Sequence, residues 1–290
     1  MAKKPLAPQP ASEEEQREEA SHSEAESPSE EESEEESDNS SESEDDEDGE
    51  AFENVSVDFD FSEPQEGDYH GIKALLSSWA HDLQAEAPAI ADLVLSQARI
   101  RDFPSVRVSE RATVLTCGEE RNVIGITALL PCSRMFKAVP GIRQTLLSRC
   151  KDDEIKTVFE KALEAPDCAL LITERLINCP AEVAPVLQKI ALDDAQNLEE
   201  DGAPPVRQVV FATLAFKESG AKKGSGKDKA SRLFAQPEGE CYFGKARGHF
   251  AFAALQADSA AEFKNERLAM LLSVQDLRKL QPTLEALVKC

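Results

Sequence analysis

The residues with the clearest chemical potential form a run of positive charge in the second half of the chain. A segment rich in glycine and serine, residues 220–232, carries five cations: Lys222, Lys223, Lys227, Lys229 and Arg232. Because Lys and Arg attract phosphates and acidic chains, the segment predicts a phosphate contact, a weak nuclear-import signal or a docking strip for an acidic segment of the same chain. A solvated loop without a partner is the alternative interpretation.

Motifs for catalysis or cofactor binding do not accompany this loop. Gly224-Ser-Gly-Lys227 resembles the end of a phosphate loop, but Ala221 stands where the first glycine is needed and Asp228 where the magnesium-binding hydroxyl is needed. The sequence has no Gly-x-Ser-x-Gly elbow and no His-Glu-x-x-His pair. We therefore predict no catalytic, cofactor-binding or metal-binding residues and no cofactor.

The cysteines do not suggest a metal site or a disulfide framework. There are seven, an odd number, and no two of them form a Cys-x-x-Cys pair. Several lie among apolar neighbours, where a reduced thiol acts as a small core residue. We predict reduced thiols, several of them in the core, at the cysteine positions, which are 117, 132, 150, 168, 179, 241 and 290.

Negative charge is concentrated at the N-terminus. Residues 1–50 hold 21 of the 56 acidic residues and three basic ones, so they carry roughly −18 of the formal net charge of −24. This Ser/Glu-rich segment lacks the large apolar side chains that could offset an ordering cost of about 1–2 kcal/mol per residue, which predicts a disordered tail. Ser29, Ser33 and Ser43 each precede acidic residues and are candidate phosphoacceptors. A tail that only maintains solubility is the alternative.

Residues 51–290 have the composition of one globular domain with a sizeable core. The chain has no run of about 18 apolar residues and no apolar segment after its N-terminus, so we expect a soluble intracellular protein without membrane contact. Strict alternation over Val55–Phe61 predicts a half-buried strand with Asp58 and Asp60 facing water. Asp68 is expected to cap a first helix, in which Trp79 is more consistent with packing than with ligand binding.

The remaining periodicities predict a mixed sheet covered by helices. The run Cys168–Ile172 is continuously apolar and predicts a central strand buried on both faces. A helix at Asp153–Glu164 would bury Ile155, Val158, Phe159 and Leu163. The other predicted strands are Val106–Val108, Ala112–Cys117, Asn122–Leu130, Gln208–Lys217, Cys241–Phe252 and Leu268–Val274, with loop 220–231 joining the strands at 208–217 and 241–252, and the other helices are Pro88–Gln97, Gly141–Cys150, Pro185–Asp194 and Gln275–Lys289.

In chain order, the sequence contains an acidic leader, the strand Val55–Phe61, the helix start Asp68-Tyr-His-Gly-Ile-Lys-Ala-Leu-Leu76, the segment Leu170–Pro180 and the lysine-rich loop. Taken together, these features resemble the BCCIP family. The resemblance runs from about Val55 to the C-terminus, and its most specific stretch is Leu171-Ile-Thr-Glu-Arg-Leu-Ile-Asn178 followed by Pro180.

The resemblance implies a fold class of α/β (α+β) type: a single three-layer domain with a mixed, mostly antiparallel sheet flanked by helices, similar to the acetyltransferase (GNAT) superfamily. It also implies a nuclear protein that shuttles to the cytoplasm, chaperones a basic ribosomal protein of the large subunit and supports nuclear export. Partners would be that ribosomal protein and nuclear transport factors, without direct DNA binding. The acetyltransferase pyrophosphate signature is absent, because Arg121-Asn-Val-Ile-Gly125 has one residue too many before its glycine.

Three functional hypotheses follow. The first is a non-enzymatic chaperone whose folded domain holds a ribosomal protein while the acidic tail covers its RNA-binding surface. The second is a residual acetyltransferase, which stabilisation by acetyl-coenzyme A would reveal. The third is a scaffold in DNA repair or cell-cycle control, because the family name in animals refers to binding a recombination mediator and a cyclin-dependent kinase inhibitor.

Overall fold

One mixed sheet of eight strands forms the centre of the described structure, and helices cover both of its faces. The structure is a computed structural model that describes residues 58–100, 111–200, 203–218, 232–255 and 263–289. The strand order is β1-β2-β3-β4-β5-β8-β7, and β6 pairs with β5. The strands are β1 (Phe59–Ser62), β2 (Arg111–Cys117), β3 (Asn122–Pro131), β4 (Cys168–Arg175), β5 (Gln208–Glu218), β6 (Arg232–Phe234), β7 (Gly248–Ala253) and β8 (Phe263–Ser273).

The strands pair antiparallel at every described contact except one. Strand β4 runs parallel to β5, and the chain between them forms a long crossover helix. This confirms the predicted class, a mixed and mostly antiparallel sheet between helical layers. The helices are α1 (Tyr69–Asp82), α2 (Ala87–Ile100), α3 (Cys132–Ala138), α4 (Pro140–Arg149), α5 (Asp153–Glu164), α6 (Val183–Glu200), α7 (Glu238–Phe243) and α8 (Val274–Leu287).

Side-chain alternation along the strands divides the core into two halves. Leu170 and Ile172 of β4 point into the half covered by α1 to α5, whereas Ala169 and Leu171 point into the half covered by α6, α7 and α8. All four side chains are buried, so β4 is the central, two-sided strand that its continuous apolar sequence predicts.

Local sequence signals explain several element boundaries. Asp152 caps α5 by accepting hydrogen bonds from the backbone N–H groups of Glu154 and Ile155 at 2.9 and 3.0 Å. The predicted β2–β3 turn is present, and Gly118 adopts a φ of 72° there, a conformation that glycine accepts without strain. The helices and strands predicted between 112 and 217 are present, and α6 extends the predicted 185–194 helix at both ends.

Several expectations are corrected. The predicted strand 241–252 is the helix α7 followed by β7, because Tyr242 turns inward to pack on Phe211 with 5.2 Å between ring centroids. Loop 220–231 consequently leads into β6 rather than into that strand. Helix α3 was not predicted, and Val158 is exposed rather than buried.

Asp68, the predicted N-cap of α1, is buried and makes no capping hydrogen bond. Its carboxylate instead accepts a hydrogen bond from the backbone N–H of Gln65. It also accepts two hydrogen bonds from the guanidinium of Arg121, at 3.1 and 3.2 Å. Asp68 therefore ties the start of α1 to the β2–β3 turn, which a local capping pattern does not reveal. Asp58 and Asp60 are both exposed, as predicted.

Some predictions concern residues outside the described ranges. These are the acidic tail 1–50, residues 55–57 of the predicted strand Val55–Phe61, the strand Val106–Val108, the loop 220–231 and the thiol of Cys290, so they remain predictions. Within the described part, no helix has both the length and the apolar character to cross a membrane. The six described cysteines are free thiols, and no group of three His, Cys, Asp or Glu side chains gathers there as a metal site.

We expect Leu171→Asp to abolish folding. Leu171 is 2 % exposed in the central strand, and an unpaired carboxylate there costs several kcal/mol, out of a total stability of about 5–15 kcal/mol. Circular dichroism and soluble yield measure the effect. Asp58→Asn removes an exposed charge and serves as the control, with an expected change within about 0.5 kcal/mol. A Leu171→Asp protein that unfolds cooperatively at the wild-type midpoint would refute the assignment.

Candidate binding site at the β4–β5 gap

The structure describes one of the site residues predicted from sequence. Arg232 is the one that the structure describes, and it belongs to β6 rather than to a free loop. Its Nε lies 3.3 Å from Glu266 Oε2, and its guanidinium carbon lies 5.6 Å from the centre of the Phe243 ring. The other predicted site residues lie outside the described ranges: Lys222, Lys223, Lys227, Lys229, Ser29, Ser33 and Ser43.

A gap between β4 and β5 forms a concave feature at the centre of the sheet. The two strands pair only from Cys168–Leu171 to Gln208–Phe211, and beyond Phe211 the same edge of β5 pairs with β6. Trp79 of α1 donates its indole N–H to the carbonyl of Ala212 at 3.0 Å, one residue past the last β4–β5 pair. Trp79 is thus a buried packing residue, as predicted, and it also satisfies a backbone acceptor where the strands diverge.

The gap contains a cavity of about 440 Å³. Ala74, Leu75 and Ser78 of α1 line one wall, and residues 174–177 line the β4 side. The other lining residues are Cys179, Ala181, Thr213, Leu214, Ala235, Gln236, Pro237 and Arg267. Four elements of the fold, α1, β4, β5 and β8, and two connecting segments therefore meet at one opening.

On the α1 face, a buried arginine joins α1 to β8. Arg267 donates from Nε and Nη2 to Asp82 Oδ2 at 2.9 and 2.6 Å, and both side chains are at most 3 % exposed. The backbone N–H of Leu255 donates to Asp82 Oδ1 at 2.9 Å. Arg267 Nη1 lies 3.6 Å from Glu174 Oε1 of β4. Asp82 ends α1, where the helix dipole disfavours a carboxylate, so Arg267 supplies the compensating charge.

On the opposite face, a second buried arginine joins β4 to α7. Arg175 pairs with both carboxylate oxygens of Glu238, and Nη2 lies 2.8 Å from Oε2. Gln236 completes the cluster when its amide nitrogen faces Thr173 O at 3.2 Å and Glu238 Oε1 at 3.1 Å. Because Glu174 and Arg175 are neighbours in a strand, they necessarily point to these two different faces.

Among the ion pairs of the five charged groups in the gap, the pair that Glu174 forms with Arg267 is the longest, at 3.6 Å. One fifth of the Glu174 side chain is exposed, and burial is the main cause that raises its pKa from 4.5 to about 7. Arg267 and then Arg175 lower this pKa, whereas Glu238 and Asp82 raise it. Near neutral pH, this carboxyl group can therefore bind a cation or exchange a proton.

The cavity rim presents two apolar side chains in a fixed turn. Ile177 is 90 % exposed and Leu176 is 44 % exposed, immediately after β4. The N–H of Leu176 donates to Ile124 O at 2.9 Å, and the N–H of Cys179 donates to Leu176 O at 3.0 Å. These bonds hold the apolar side chains at the surface, next to the Glu174 carboxylate, in an arrangement typical of a protein-contact surface.

The gap offers little for covalent chemistry. Burial is the first cause that raises the pKa of the Cys179 thiol, although Arg175 opposes it, and a thiol held protonated is a poor nucleophile. The two arginines are engaged by carboxylates rather than directed into open space. The arrangement is consequently better suited to holding a partner group than to transforming one.

Sequence reasoning missed the charged residues of the gap. The stretch around Glu174 and Arg175 stood out as a motif, but no role followed from it. A signal exists in β8, where Arg267 is buried directly before the apolar run 268–272. An arginine at such a position requires a buried carboxylate, but Asp82 is 185 residues away, so the sequence does not identify it.

Comparison with known proteins connects the chain to one family. The family model described as BCCIP matches residues 54–245. The protein named "Protein BCCIP homolog" from Arabidopsis thaliana is 24 % identical over 246 residues, which cover 80 % of this chain and 73 % of that protein. The crystal structure of BCP1 from Saccharomyces cerevisiae has a TM-score of 0.57 at 24 % identity, over 84 % of this chain and 94 % of that one, and this likeness shows the fold.

We expect Arg267→Leu to destabilise the fold by about 3–5 kcal/mol, because it leaves Asp82 buried without its ionic partner. Arg143→Leu is the matched control, since it breaks a surface pair with Glu164 that contributes at most about 1 kcal/mol. Urea unfolding measures both changes. Equal losses of unfolding free energy in the two variants would show that the buried pair does not hold β8 to α1.

We expect Glu174→Gln to gain stability relative to wild type as pH rises. The pKa of Glu174 is higher in the folded chain than the ordinary value of 4.5, so its favourable contribution is complete below about pH 4.5 and is lost as pH rises through about 7. From pH 5 to pH 8 the variant should gain on the order of 1–3 kcal/mol over wild type in urea unfolding. Exposed Glu119→Gln controls for the loss of one negative charge. If the difference in unfolding free energy between Glu174→Gln and wild type stayed constant from pH 5 to pH 8, the raised pKa of Glu174 would be contradicted.

Proposed function

The chain belongs to the BCCIP family, and from this premise we propose that it is a non-enzymatic nuclear binding protein that chaperones a basic ribosomal protein of the large subunit. In this role it would support ribosome biogenesis and nuclear export, and it would shuttle between nucleus and cytoplasm with nuclear transport factors as further partners.

The observation that carries the proposal is the composition of the β4–β5 gap. Its two arginines are consumed in buried ion pairs, its least compensated group is the Glu174 carboxylate, and its rim exposes Leu176 and Ile177. A surface that combines an available carboxylate with exposed apolar side chains favours a partner that is both basic and folded. A free ribosomal protein has these properties.

The distribution of charge along the chain supports the same class of partner. Residues 1–50 carry roughly three quarters of the formal net charge of −24. A polyanion forms many weak, exposed ion pairs with a basic surface, each worth about 0–1 kcal/mol, and RNA phosphates can displace it at the site of assembly. The folded domain would then provide specificity, and the acidic segment would protect the client from premature RNA contact.

The test uses two defined pools of basic proteins, one extracted from purified large ribosomal subunits and one from small subunits. The immobilised chain should retain one or a few proteins from the large-subunit pool only. Without residues 1–50, retention should weaken modestly and mainly at low salt, because exposed charges are screened within a Debye length of about 8 Å at physiological ionic strength. Mass spectrometry and washes at two salt concentrations provide the measurement.

Two outcomes would reject the proposal. Retention of basic proteins from both pools without selectivity would show that the chain acts as a simple polyanion. Retention of none from the large-subunit pool would exclude the proposed class of client.

A further inference from the structure

We propose that the cavity beside Glu174 is a receptor for one lysine or arginine side chain of the partner protein. This inference rests on the proposed function and specifies which group of a basic client the folded domain recognises. The ligand chemistry is a single cation on an aliphatic stem.

The hydrogen-bonding pattern shows which carboxylate is available. Asp82 receives two hydrogen bonds from Arg267 and one from the backbone of Leu255, and Glu238 is paired by both terminal nitrogens of Arg175. Among the described residues, Glu174 forms one ion pair, with Arg267 at 3.6 Å. A carboxylate accepts about four hydrogen bonds, so Glu174 retains capacity for a further donor.

The charged residues of the gap that the structure describes do not balance without a ligand. Three carboxylates, from Asp82, Glu174 and Glu238, face two guanidinium groups, from Arg175 and Arg267. The cluster therefore carries one excess negative charge when all its members are ionised. That excess resides on Glu174, whose pKa burial raises to about 7, and a cation in the cavity would favour its ionised form.

The cavity walls fit the stem of a basic side chain. Leu75, Leu176, Ile177, Ala235 and Pro237 contribute apolar surface next to the carboxylate. Lysine and arginine place methylene groups against such surface while the charged end seeks an acceptor. The volume of about 440 Å³ lies within the range of roughly 300–1,000 Å³ typical of small-ligand sites.

Other occupants fit less well. A carboxylate or phosphate entering the cavity would approach Glu174 and the net negative cluster, while both arginines are already paired. A purely apolar group would remove water from Glu174 without providing an ionic partner, which is costly for the charged form. A cation is the one class that both uses the apolar wall and compensates the excess charge.

The first arm of the test uses small probes on the full chain at pH 8, where Glu174 is ionised. N-acetyl-lysine amide and N-acetyl-arginine amide are titrated, with N-acetyl-norleucine amide and N-acetyl-citrulline amide as uncharged analogues. NMR follows the Glu174 side-chain carboxyl carbon and the methyl groups of Leu176 and Ile177. The cationic probes should shift these signals and lower the apparent pKa of Glu174, and Glu174→Gln should weaken binding about tenfold or more, whereas Glu119→Gln should not.

Two probe results would overturn the inference. One is equal binding of the charged and uncharged analogues, which would make the site an apolar pocket. The other is the absence of any shift at Glu174 with either cation up to the solubility limit of the probes.

The second arm separates this inference from the proposed function. Glu174→Gln and wild type are compared for retention of the large-subunit ribosomal protein pool. Weaker retention by the variant supports the receptor role. Undiminished retention by the variant, with cationic probes still bound by wild type, rejects the receptor role for the client but leaves the chaperone function intact. A wild-type chain that binds the probes but retains no ribosomal protein would instead overturn the proposed function, and with it the client as the source of the cation.

Discussion

The limited pairing between β4 and β5 is the constraint on which the rest of the described structure depends. These two strands make the one parallel contact in the described sheet, and four residue pairs join its two halves. Parallel pairing requires a crossover, here through α6, and it stops after Phe211 because β5 then pairs with β6. The sheet consequently opens at its centre, and the backbone and side chains at that opening need other partners.

Two buried ion pairs provide those partners, one on each face. Arg267 with Asp82 fixes the end of α1 over β8, and Arg175 with Glu238 fixes the start of α7 over β4. Taking such charges out of water is costly, and a buried pair is weak evidence for stability by itself. The two buried pairs matter here because of where they lie: each joins two elements that the sheet's hydrogen bonds do not connect.

The same feature also links the fold to the proposed function. An opening closed by charged rather than apolar side chains leaves a cavity with one carboxylate in excess, and the fixed turn after β4 adds exposed apolar groups beside it. In the proposed function, negative charge would act at two distances. The many carboxylates of residues 1–50 would attract a basic partner, and the largely buried Glu174 carboxylate in a shaped site would discriminate among partners. A binding protein for basic clients needs both properties.

The sequence by itself determined the features that depend on neighbouring residues. The apolar run Cys168–Ile172 identified the central strand, the spacing in Asp153–Glu164 identified α5, and composition located the negative charge at the N-terminus. The strand prediction for Cys241–Phe243 was wrong. The aromatic residues there favour a strand locally, whereas the segment is a helix in which Tyr242 packs on Phe211. Only the tertiary structure decided the site, since Glu174, Asp82 and Arg267 come from three elements far apart in the chain, and the desolvation that perturbs Glu174 exists only once they are packed together.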